Sequence, residues 1–80
     1  MKSKDSLEAR ATIFTDDGCN YDIGVAFLYE DEEEFNAGAK VLYKEIFKED
    51  VYIADDGMGL NVIPVNRIVT IRVDRDIPTV

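Results

Sequence analysis

The chain has no histidine, no tryptophan and one cysteine, Cys19. Without an imidazole, neither a Cys/His nor a Ser/His/Asp nucleophile can be assembled, because the thiol or hydroxyl lacks its general base. A lone cysteine forms no internal disulfide, which points to a reducing compartment. Basic residues are scarce as well, nine against seventeen acids, for a net charge of −8. Such a field repels phosphate backbones and anionic lipid, so direct binding of nucleic acid or of a membrane surface is not expected. No run approaches the roughly 18–20 apolar residues of a membrane helix. Met1–Ser6 is not followed by an apolar stretch, so neither a secretory signal nor an anchor is expected. A cytoplasmic protein is the expectation.

What is present is enough to fold. An apolar content of 46% and eight aromatic rings, four Phe and four Tyr, exceed what a disordered acidic tail carries. Eighty residues suit one domain covering 1–80, with residues 1–6 and 75–80 expected to be flexible. A chain this short buries only roughly 60–65% of its unfolded surface. Its core is therefore thin, and association with a partner or a second copy is expected.

The apolar pattern predicts five strands and one helix. Leu7, Ala9, Ala11 and Ile13 alternate with Glu8, Arg10 and Thr12, the period of a half-buried strand. Past the Asp17-Gly18 step, Tyr21, Ile23, Val25, Phe27 and Tyr29 form a second alternating series, read as the better covered strand, with Gly24, Ala26 and Leu28 opposite. Phe35, Ala39, Leu42 and Ile46 recur at helical spacing, predicting a helix from about 31 to 48. Acids at its start and Lys40, Lys44 and Lys48 toward its end complement the helix dipole. Gly38 within it either permits close packing or marks a weak point. Val51–Ala54, Leu60–Val65 and Ile68–Val73 read as three further strands, the last with Val69, Ile71 and Val73 on one face. Pro64 confines its strand to an edge, a bulge or a strand end. The expected fold is α+β: one antiparallel sheet of about five strands in the order β-β-α-β-β-β, with one amphipathic helix on one face. Much of the other face stays uncovered, with Ala26 and Leu28 on it, and a homodimer joined through a sheet face or edge would cover it.

The acids are placed unevenly. Asp16, Asp17, Glu30, Asp31, Glu32, Glu33, Glu34, Glu49, Asp50, Asp55 and Asp56 all fall in bends or at element ends. Two segments repeat one pattern, Ile13-Phe14-Thr15-Asp16-Asp17-Gly18 and Tyr52-Ile53-Ala54-Asp55-Asp56-Gly57, each a strand running into an acidic turn. Carboxylate pairs are the only acid/base candidates, but exposed turns rarely supply the pocket and shifted pKa that catalysis needs, and no enzyme is expected. Asp16, Asp17, Asn20 and Asp22 place four oxygen-bearing side chains in seven residues, yet not at calcium-loop spacing, so solvated turn acids are the preferred reading over a divalent-metal module. No cofactor is called for. If the bends converge at one end of the fold, their carboxylates form a ridge spaced like phosphates, able to occupy the basic cleft of a DNA-binding protein. The alternative is that the charge serves solubility alone.

Ala11-Thr12-Ile13-Phe14-Thr15-Asp16-Asp17-Gly18, the returning strand, the acid-led helix and Ile68-Val69-Thr70-Ile71-Arg72-Val73-Asp74 together resemble the layout of small acidic phage proteins that mimic DNA. These include inhibitors of uracil-DNA glycosylase and of the nucleoid protein HU. Val51–Val65 is a hairpin additional to that layout. The resemblance implies a non-enzymatic inhibitor, acting in the host cytoplasm if phage-encoded, that binds a basic DNA-binding protein in place of DNA. A structural or regulatory interaction domain assembling through sheet edges is the alternative, and a metal-binding module the third.

Overall fold

A computed structural model describes residues 6–55 and 57–75. Strands β1 (Leu7–Thr15) and β2 (Asn20–Tyr29) form a long hairpin, α1 spans Glu32–Ile46, and β3 (Val51–Asp55) and β4 (Leu60–Pro64) form a short hairpin. A single 3-10 turn, Val65–Arg67, leads into β5 (Ile68–Asp74). The order β-β-α-β-β-β is the expected one. Asp56, 1–5 and 76–80, including most of both ends expected to be flexible, lie outside the described residues. Arg75, expected to fray, is instead held: its Nε donates to Glu32 at 3.2 Å, and its guanidinium lies 4.4 Å over the Phe35 ring.

The expected single sheet is two. β2, β1 and β5 form an antiparallel sheet with β1 at the centre, while β3 and β4 pair only with each other. The 3-10 turn is the cause. Its first residue, Val65, donates its amide to the Asp50 carbonyl, and its last, Arg67, accepts the Asp16 amide. Within three residues the chain is thus handed from the hairpin base to the open edge of β1, where β5 pairs. Once β1 has partners on both sides, the short hairpin has only outer edges to join. The β2 edge is bulged at two places, between the partners of Ala9 and Arg10 and between those of Ala11 and Thr12.

Those bulges also change which side chains face inward. Ala26 packs on the core and Val25 is exposed, the reverse of the expected alternation, while Leu28 lies on the uncovered face as expected. Gly24 sits at the slip with φ +76, a backbone conformation that glycine adopts without a Cβ penalty, and donates its amide to Asp22 Oδ1 at 2.8 Å. A third shift, between Phe14 and Thr15, turns Val69 of β5 outward and leaves Ile68, Ile71 and Val73 against the core. β1, with Ala9, Ala11 and Ile13 fully buried, is the best covered strand, not β2, because it alone is central. The core is one cluster on one face of the sheet, drawn from Ala11 and Ile13 of β1, Leu42 and Ile46 of α1, and Ala54 and Ile63 of the short hairpin. A second cluster joins Ala9, Tyr29 and Phe35, whose rings meet edge to face at 4.8 Å.

Candidate interaction surface

The expected acidic ridge divides into two groups, with Asp55 apart from both at the tip of the short hairpin. The helix-start acids Glu30–Glu34 lie where β2 ends, beside the Leu7–Tyr29 pair, and Asp16 and Asp17 follow the Phe14–Asn20 pair at the other end of the same ladder. Seven residue steps of strand separate these pairs, about 23 Å. Glu49 and Asp50 belong with the second group, because the backbone bonds that hold the 3-10 turn bring Asp50 and Asp16 to its two ends. The condition that all bends face one way is therefore not met.

Most of these carboxylates have local partners. Asp31 caps α1, its Oδ1 accepting the Glu34 amide at 2.8 Å, while Glu34 Oε1 accepts the Glu30 amide at 2.8 Å. Glu30 accepts the Ser6 hydroxyl, and Glu32 pairs with Arg75, which holds its carboxyl below the usual range. Asp16 pairs with Arg67 Nε at 2.8 Å and raises the guanidinium pKa further. Asp17 accepts the Thr15 hydroxyl at 2.6 Å and the Cys19 amide at 3.1 Å, and these bonds, the hydroxyl's first, lower its pKa. Asp55 accepts the Gly57 amide at 2.8 Å. The two repeated turns are thus not equivalent: the second Asp closes the first turn, whereas the first Asp closes the other. Among the described residues, Glu33, Glu49 and Asp50 make no side-chain ion pair. No three of the described His, Cys, Asp and Glu residues converge to hold a metal ion.

No protein-family model, curated protein or solved structure matches this chain. Its surface is the remaining guide. On the short hairpin the pairs Val51–Pro64, Ile53–Val62 and Asp55–Leu60 share one face, opposite the buried Ala54 and Ile63. That outward face is apolar yet open: Val51, Ile53, Leu60 and Val62 are 40%, 53%, 64% and 59% exposed. Two strands with apolar side chains on both faces are built like strands covered from both sides, and nothing in the described chain covers the second. Acids border it. Glu45, Lys48 and Glu49 line a recess with Val51 and Ile53, Asp17 and Arg67 line another with Val62 and Pro64, and Asp55 stands at the tip. The reading of acids at bends missed this face. Its signal was in the sequence, since Val51-Tyr52-Ile53-Ala54 and Leu60-Asn61-Val62-Ile63 are apolar at seven of eight positions rather than alternating.

No helix among the described residues is long and apolar enough to cross a membrane.

Proposed function

We propose that the protein is a non-enzymatic binding protein whose β3–β4 hairpin docks on a basic protein surface. The observation that carries this reading is the exposed apolar face of Val51, Ile53, Leu60 and Val62, whose border of Asp17, Glu45, Glu49, Asp50 and Asp55 outweighs Lys48 and Arg67. An apolar centre with a charged border is the usual anatomy of a protein interface: the centre supplies affinity, the border steers encounter and selects a partner of opposite sign. The resemblance to acidic phage inhibitors supports, as the partner, the DNA-contacting face of a nucleoid protein such as HU or of a DNA-repair enzyme, which the bound protein would block. In this reading it works in the cytoplasm, that of a host cell if phage-encoded. The five acids at the helix start serve α1 and solubility.

A gel shift of HU–DNA complexes tests the target. Released DNA at micromolar protein and low salt is the expected outcome, and undisturbed complexes would remove HU from the reading. Where displacement occurs, Val62→Asp abolishes it at all salt concentrations. Glu49→Gln with Asp50→Asn weakens it chiefly at low salt, because bordering charges act through a screened field. A second reading, assembly through sheet edges with charge for solubility, is favoured by the open edge of β5.

A further inference from the structure

We infer that β5 is the dimer edge of this protein, pairing antiparallel with β5 of a second copy. β5 bonds to β1 along one side only. Beside its other side runs a groove of about 220 Å³, lined by Ala39 and Tyr43 of α1, by Phe47 at the helix end, and by Ile68, Ile71 and Val73 of β5. Tyr43 and Phe47 stack at 4.7 Å on its wall, and Tyr43 and Val69 are 57% and 62% exposed. An unpaired strand beside an apolar groove takes an added strand, whose backbone completes the ladder while its side chains enter the groove.

Charge decides between a second copy and another occupant. On α1 and at or beside β5 the charges balance, Lys40, Lys44, Arg67, Arg72 and Arg75 against Glu32, Glu33, Glu34, Glu45 and Asp74. This is where another chain of net charge −8 can approach with least repulsion, whereas the hairpin face is bordered by acids and is the place least suited to it. The strand is also compatible with its own copy. A two-fold axis at Ile71 sets Val69 against Val73 and Thr70 against Arg72, and keeps like charges from facing each other within the strand; centring on Arg72 would oppose two guanidiniums. Each end of β5 carries an arginine–carboxylate pair, Arg67–Asp16 at one end and Arg75–Glu32 at the other. In this register Arg67 of one copy lies opposite Arg75 of the other, and each guanidinium brings its own carboxylate, Asp16 or Glu32, so the two pairs meet without net charge. The product is a six-stranded sheet with both α1 helices on one face and both hairpins free. It stands whether or not the hairpin binds a basic partner.

Sedimentation of the full chain at about 100 μM should give twice the 9.0 kDa protomer mass. Val69→Glu, at an exposed position, should raise the dimer dissociation constant at least about tenfold with an unchanged circular dichroism spectrum. Val62→Asp on the hairpin should leave the dimer intact. A monomer at about 100 μM overturns the inference, as does a dimer that Val69→Glu leaves intact or that Val62→Asp disrupts. Failure to displace DNA from HU bears on neither outcome.

Discussion

At the scale of single residues, Gly38 shows how packing overrides propensity. An alanine in a helix interior is ordinarily worth about 1 kcal/mol over glycine. Here a Cβ at position 38 would overlap the Phe27 ring, so the glycine is the close-packing device the sequence allowed for. Gly38→Ala should therefore destabilise by about 1–3 kcal/mol, the range for overpacking, and chemical denaturation reads the sign directly. Ile13 and Ile46 are the largest fully buried side chains, and truncating either to alanine should cost about 2–5 kcal/mol. Ala9, Ala11 and Ile13 were legible as core because β1 alternates without interruption on that face. Val25 and Val69 were not, since each lies at a bulge that moves one extra residue into the strand and reverses the faces beyond it. A two-residue period carries no mark of where such a slip falls.

At the scale of elements, the order and type of all five strands and the helix could be read, because each has a local cause. The helix begins at its acidic cap and ends at Ile46, two residues before the expected end. Asp31→Ala should cost about 1 kcal/mol, since it leaves the Glu34 amide without its acceptor, and thermal melting measures it. Sheet membership could not be read. It depends on where the 3-10 turn delivers β5, which long-range backbone bonds from Asp50 and Asp16 determine. The division has a dynamic consequence. A two-stranded hairpin is marginal by itself, and β3–β4 is held by one face through Ala54 and Ile63, whereas β1 is paired on both sides. In hydrogen exchange the β3–β4 amides should exchange well before those of β1. Equal protection would show that the hairpin opens only with the whole domain.

At the scale of the whole molecule, the same acids act in two opposed ways, and pH separates them. A net charge of −8 on 80 residues repels itself, so raising salt from about 20 mM to about 0.2 M should raise the melting temperature through screening. Acidification removes that repulsion but also removes specific bonds. Asp17 and Glu32 both have lowered pKa values in the folded chain, through the Thr15 hydroxyl and the Arg75 guanidinium respectively. A lowered folded-state pKa means that the unfolded chain binds protons first. The stability these two groups contribute is therefore complete above the ordinary carboxylate range and lost as pH falls through it, below about pH 4. Both are exposed, so each contribution is modest and salt-screened. The expected profile is a melting temperature that holds or rises slightly from pH 7 toward pH 5, as repulsion weakens, and then falls. Glu32→Gln isolates one term, because it removes the Arg75 pair without touching Asp17. The variant should melt lower than the parent at pH 7 and converge with it in acid. A constant gap across the range would mean that the Glu32–Arg75 contact, although formed, does not distinguish the folded from the unfolded chain.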